Sequence, residues 1–414
     1  MAESGEFRRG WKVVLAAALG VGTGLSPIPF YTIGVFIGPL AREFGWTATQ
    51  ILQSLVFTTL AVLVASPICG ILTDRYGVRR IALLSTVGFG LCFIPFALNP
   101  GHLWLLYLNY AVLSLIGVGT LPITWTRAVN NRFRKRRGLA LGLSLLLTGV
   151  FGSIAKLYAN WMVEQFGWRL AYCGLALFPL AISLPVALAF FHDADEPLPA
   201  DEAPPPAEGG MTLRQALTMR GFWTIWIALL LLMLPIGGII PNLEPLLGSK
   251  GFDRDTAVRL AAVIGFSVLI GRPVGGWLID RFWAPGVAFL LLTPPGIAFL
   301  LLSHVTLTAP LAWACVFMIG FAAGLEYDVV AYLVSRYFGM RAYSAVYGSL
   351  YMAFALGSGF GPAIIARFFT AEGSYDGVLT IGAGLVLVGS SILLTLGRYP
   401  VYPAISRPAA RPSG

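Results

Sequence analysis

The sequence predicts an all-α membrane protein, with twelve transmembrane helices arranged as two six-helix, pseudo-symmetric bundles. Three observations lead there. Apolar runs of about 20 residues recur along the whole chain, each long enough to cross roughly 30 Å of hydrocarbon. Only 11% of the 414 residues are charged and the mean hydropathy is +0.78, too little polarity to cover a water-soluble protein of this length. The chain also repeats itself at an offset of about 206 residues, the signature of a duplicated six-helix unit.

The spans fall near 13–38, 49–74, 79–98, 102–129, 138–163, 168–191, 221–247, 257–280, 285–303, 307–335, 343–369 and 375–397. They divide the chain into a first bundle over 1–191, a linker over 192–220, a second bundle over 221–397 and a tail over 398–414. The linker is rich in Asp, Glu, Pro and Ala, contains Pro204-Pro205-Pro206 and holds a short amphipathic stretch near 211–219.

The formal charge of +9 does not indicate nucleic acid, because its distribution follows the membrane. With the N-terminus inside, the cytoplasmic segments carry about twenty Lys and Arg and the opposite side about six, which is the positive-inside pattern. Both termini are therefore expected in the cytoplasm, with a bacterial inner membrane as the expected location. The densest cluster is Arg132, Arg134, Lys135, Arg136 and Arg137, between the fourth and fifth spans, where it reads as a headgroup anchor. Arg8-Arg9 loosely matches a twin-arginine signal, but the apolar run behind it is too long for a signal segment and eleven more follow.

The four cysteines, Cys69, Cys92, Cys173 and Cys315, lie inside apolar runs with neither zinc nor disulfide spacing. His102, His192 and His304 sit at span ends or in loops. Phosphate-cradling glycine loops, metal clusters and nucleophile–base pairings do not stand out, so neither an enzyme nor a cofactor is expected.

The repeat is read residue by residue. Leu63-Val-Ala-Ser-Pro-Ile-Cys-Gly-Ile-Leu-Thr-Asp-Arg75 matches Leu269-Ile-Gly-Arg-Pro-Val-Gly-Gly-Trp-Leu-Ile-Asp-Arg281. Arg132-Phe133 with Arg136 echoes Tyr337-Phe338 with Arg341, and Gly167 pairs with Gly373. Pro27 and Pro29 interrupt the first span; Pro235, Gly237, Gly238, Pro241 and Pro245 interrupt the seventh. Interrupted helices in matching positions point to a solute site at the interface of the repeats, near the bilayer midplane.

Charges inside spans each require a reason, since a central charge costs about 2.5–3.5 kcal/mol on insertion scales. Arg272 lies eight residues before Asp280, about 12 Å deeper along the helix. Its repeat counterpart is Ser66, so the fold does without it, and its forked donors suit a carboxylate. Substrate binding and a structural ion pair both remain open. Glu326 and Asp328 on the tenth span correspond to Leu121 and Ile123. Two residues apart on a helix, they point about 200° from each other, so one faces the cavity and the other a neighbouring helix. Either can carry a coupling proton or balance Arg272, with Asp328 preferred as the carrier. Lys156 on the fifth span either attracts an anion or reaches to the interface. Tyr31, Asn242 and Tyr351 complete a candidate site through hydrogen bonds, or serve as interhelical glue.

At Gly70-Ile-Leu-Thr-Asp74-Arg75-Tyr-Gly77-Val-Arg79-Arg80 the sequence resembles the signature of the major facilitator superfamily, at the loop where that family carries it, with a degenerate copy ending in Asp280-Arg281. The resemblance implies alternating access and a cytoplasmic latch, a role carried to Asp74, Arg75, Arg79, Asp280 and Arg281. Three further stretches are similar to the monocarboxylate-porter and oxalate–formate antiporter branch: Gly10-Trp11, Phe44-Gly45-Trp46, and Arg132-Phe-Arg-Lys-Arg-Arg-Gly138-Leu-Ala140-Leu-Gly142. That branch implies a small organic anion, often moved with a proton, and an arginine in the eighth span, which Arg272 supplies. Two departures matter. Val268 stands where many monocarboxylate porters carry an acid, and 343–369 lacks the lysine of oxalate-type members.

The expected function is proton-coupled symport of a small monocarboxylate, with a small organic anion, a proton and the lipid bilayer as partners, no nucleic acid, and a monomeric state. An organic-anion exchanger and a proton-driven exporter of drugs or sugars are the alternatives.

Overall fold

The computed structural model describes residues 5–191 and 209–402. Among these residues, ten helices are long and apolar enough to cross a membrane. They account for all twelve expected spans once two departures are counted. The first span is cut into Gly5–Gly22 and Ile28–Phe44. The fifth and sixth run together as Arg137–Leu175, but the chain reverses inside it at Gly167 (φ 80°) and the sixth span ends at Phe190. The remaining spans are Ala48–Tyr76, Val78–Ala97, Leu103–Arg132, Arg220–Ser249, Arg254–Arg281, Ala284–His304, Ala309–Tyr337, Tyr343–Glu372 and Asp376–Leu396. Most of the linker, including Pro204-Pro205-Pro206 and His192, lies outside the described residues. Its described end forms a short helix, Leu213–Thr218, closed by a Thr212–Gln215 capping box.

The duplication is visible in turn chemistry. Gly167 and Gly373, paired by the repeat, both hold left-handed or related positive φ (80° and 70°), which glycine adopts without a Cβ penalty. Beside them the two halves carry ion pairs of opposite polarity: Glu43 with Arg169 at 2.6 Å, and Lys250 with Asp376. Each ties the first helix of its half to the last.

The breaks differ from expectation. The first span unwinds over 23–27, and the amide of Leu25 left over is bonded by Thr120 Oγ1 at 2.9 Å. The seventh tightens into a 3-10 turn at Ile240–Asn242 and stays helical through Gly237 and Gly238, because these two pack directly on Ser358 and Gly361 of the eleventh span. Two breaks were not anticipated. The fourth span is interrupted before Pro122 and the tenth between Ala323 and Glu326, at equivalent points of the repeat. Thr120 belongs to the first of these, so the breaks of the first and fourth spans satisfy each other, as apolar surroundings demand.

The halves meet where the second span crosses the eleventh and the fifth crosses the eighth. Glycines allow backbone to touch backbone there: Gly70 lies on the Ser344 carbonyl and Gly348 on that of Ser66, while Gly138 faces Gly276 and Gly142 the Arg272 carbonyl. The eighth span packs on the Arg137–Leu145 part of the fifth and diverges from the part beyond Leu147. The structure is therefore closed on the face that bears the Arg132–Arg137 cluster, the basic face, and parted on the opposite face.

Candidate functional site

Arg272 sits at the bottom of the parted region, only 3% exposed, with Asp328 fully buried beside it. Its Nη1 donates to Asp328 Oδ1 at 3.2 Å and its Nη2 to Thr148 Oγ1 of the other half at 3.3 Å. The Arg272 Nε and the second oxygen of Asp328 have no hydrogen-bond partner. Such a pair is under-used: the guanidinium keeps a donor for a further acceptor, and its fork is suited to a second carboxylate. Asp328 lies in the first turn of the helix that restarts after the tenth-span break, where a negative charge meets the positive end of the backbone dipole.

Tyr327 closes the site on the second half. Its ring lies 5.9 Å from the Arg272 guanidinium and its hydroxyl spans the halves to Ser26, at 3.5 Å, in the first-span break. It stacks on Tyr351 (centroids 5.9 Å) and packs at a tilt on Phe354 (4.4 Å), and the Tyr327 and Tyr351 hydroxyls are 3.4 Å apart. Tyr31 is 41% exposed and lies over Gly152 of the fifth span, one turn beyond Thr148, where a Cβ would strike its ring.

Other predicted residues fall elsewhere. Glu326 is buried, but its neighbours Leu229, Leu232, Met233, Leu292, Val330 and Leu393 form an apolar pocket within the second half, and its Oε1 has no partner. The 200° separation on the helix thus sends Asp328 to Arg272 and Glu326 away from it. Asn242 donates to the carbonyls of Gly238 (2.9 Å) and Pro362 (3.2 Å), stitching the seventh span to the eleventh. Lys156 is exposed, on a stripe with Ser153 and Asn160 at helical spacing. The adjacent exposed apolar face, about 100° round the helix, bears Ile154, Leu157 and Trp161, and the face opposite that one buries Gly152, Ala155 and Ala159. A polar stripe on a membrane helix belongs toward water between the halves rather than toward lipid.

On the basic face, Asp74 pairs with Arg127 and accepts from the amides of Ser344 (3.1 Å) and Ala345 (2.9 Å). Asp280 accepts from those of Gly138 (2.6 Å) and Leu139 (2.9 Å). Each carboxylate therefore serves as the N-terminal cap of a helix in the other half, and neither helix has a capping side chain of its own. Three neighbouring arginines also make contacts within their own halves. Arg79 donates to the Leu188 carbonyl at 3.0 Å, Arg281 stacks over Trp277 at 3.9 Å and Arg75 lies over Tyr76 at 5.3 Å.

Thr148, Tyr327, Ser26 and Arg127 were missed in the sequence. Arg127 was legible as the lone charge in 102–129, and Tyr327 as the residue between two noted acids. A single Thr or Ser in an apolar run usually bonds its own backbone, as Thr148 also does to Leu145, and gives no signal.

An unpaired-donor arginine at the meeting point of two duplicated six-helix halves, closed on one face and parted on the other, defines the class: a membrane transporter built for alternating access. The chain belongs to the Major Facilitator Superfamily, whose description matches residues 19–362. Among curated relatives, monocarboxylate transporter 13 of Bos taurus is 26% identical, covering 97% of this chain and 92% of that one. Monocarboxylate transporter 11 of Mus musculus is also 26% identical, over 94% and 88%. Among solved structures, the human organic anion transporter MFSD10 (TM-score 0.71, 16% identity, 94% and 99% covered) shares the fold. So does the fucose:proton symporter FucP of E. coli (0.68, 14%, 94% and 98%).

Proposed function

We propose that this transporter is a proton-coupled symporter of a small monocarboxylate, with Arg272 as the carboxylate anchor and Asp328 as the proton carrier. The observation that carries the reading is the buried Arg272–Asp328 pair, joined to the opposite half through Thr148. The curated relatives named as monocarboxylate transporters support the same solute class.

With no solute, guanidinium and carboxylate neutralise each other. A proton taken by Asp328 frees Arg272, which then binds the solute carboxylate with its fork. Tyr31, Tyr327 and Tyr351 bound the space beside the anchor, and Lys156 draws the anion inward. Empty and fully loaded, the site carries no net charge. Loaded with the proton alone it carries one uncompensated charge, which the low-dielectric crossing penalises. Coupling follows from that difference. Asp74 and Asp280, supported by Arg75, Arg79 and Arg281, form the latch on the basic face. That face lies in the cytoplasm by its excess of Lys and Arg, so on this reading the parted face opens outward.

The test is uptake of radiolabelled small acids into proteoliposomes, with and without an inward proton gradient. Uptake that rises with the gradient and is lost in Arg272→Ala supports the reading. Saturable anion uptake that survives in Arg272→Ala overturns the anchor. Uptake that ignores the gradient but responds to anion loaded inside makes the protein an exchanger.

A further inference from the structure

Beside the carboxylate caps lies a second crossing between the halves. Tyr343 is the first residue of the eleventh span, and the repeat relates it to Arg137, the first residue of the helical part of the fifth. Both side chains are buried and both reach into the opposite half, with different chemistry. Arg137 donates to Ser335 Oγ of the tenth span at 3.2 Å. The Tyr343 hydroxyl donates to Thr126 Oγ1 at 2.9 Å and accepts from Asn130 Nδ2 at 3.0 Å, both on the fourth span. Tyr343 is fully buried and Thr126 and Asn130 almost so, so no solvent competes for these bonds while the basic face is closed.

We propose that Tyr343 is a gating residue of the transport cycle: its hydroxyl, held between Thr126 and Asn130, keeps the basic face shut, and breaking that pair of bonds is a step of opening it. The geometry favours this over a packing role. The ring packs against Tyr347 of its own half at 5.9 Å, whereas the hydroxyl makes its hydrogen bonds to the other half. Any rotation that separates the fourth span from the eleventh must part Tyr343 from both partners at once. The proposal holds whichever solute is carried, because the side-chain partners of Arg272 are Asp328 and Thr148, and none of these three residues is among them.

The experiment uses the full chain in lipid nanodiscs, with Cys69, Cys92, Cys173 and Cys315 replaced by alanine. Spin labels are placed at Arg80→Cys and Phe282→Cys, two exposed positions at the basic-face ends of the two halves. Double electron–electron resonance then gives the ratio of closed to open basic face. In Tyr343→Phe, which keeps the ring and deletes only the hydroxyl, the ratio falls about tenfold, the scale of losing two buried hydrogen bonds. Thr126→Val, which removes one partner without touching the eleventh span, lowers it in the same direction by less, and decides the matter if Tyr343→Phe does not fold. An unchanged ratio in the variants that fold overturns the proposal.

Discussion

Asp74 and Asp280 occupy the same place in the two repeats, and each caps the first turn of a helix belonging to the half opposite its own. The closure of the basic face is thus built on two equivalent carboxylate caps, and Asp74 also pairs with Arg127 of its own half. A capping carboxylate is worth roughly 0.5–2 kcal/mol, and here that energy exists only while the halves are together.

Replacing either aspartate by alanine should therefore open the basic face without unfolding either half. Asp280→Ala and Asp74→Ala are each expected to shift the equilibrium toward the open basic face by about 0.5–2 kcal/mol, because the Asp74–Arg127 pair lies within one half. Thiol labelling from the basic face, in vesicles of known orientation, reads both effects. Equal labelling of both variants and the parent protein would count against a capping role.

The Arg272–Asp328 pair makes an asymmetric prediction. Removing one partner of a buried pair strands the other, a cost of about 3–5 kcal/mol, while replacing both is often close to neutral. Arg272→Met is expected to lower the melting temperature of the purified protein more than Arg272→Met with Asp328→Leu. In transport, Asp328→Asn should retain anion counterflow and lose accumulation driven by a proton gradient.

Glu326 gives the opposite expectation. A carboxyl with an unpartnered oxygen in an apolar pocket costs stability of the order of 1–3 kcal/mol, so Glu326→Met should raise the melting temperature. The pH dependence of uptake should keep its shape. A flattened pH profile in this variant would move the proton carrier from Asp328 to Glu326.

Gly348 lies against the Ser66 carbonyl of the other half. A leucine there has no room in the closed arrangement, and the clash is relieved only by separating the second and eleventh spans. Gly348→Leu is expected to hold the basic face open and to abolish net uptake while solute binding from that face persists. Equilibrium binding to the purified variant, measured alongside flux, separates these two effects.

The sequence by itself determined the twelve spans, the duplication and the charge asymmetry, because these depend on hydrophobic length and on residue identity at a fixed offset. It also singled out Arg272, Asp74 and Asp280, since a charge within or beside a membrane helix is costly enough to be conspicuous. What it left undecided was direction. Glu326 and Asp328 were both candidates, with Asp328 preferred, and the tenth span, restarting at Glu326, turned Asp328 to the arginine and Glu326 into an apolar pocket. Asn242 read as a site residue and proved to bond two carbonyls of its own half. Thr148, Ser26 and the Tyr343 crossing carry no signature at all. Their meaning lies in contacts spanning about 120 to 300 residues of chain, which only the packing of one half against the other brings within hydrogen-bond range.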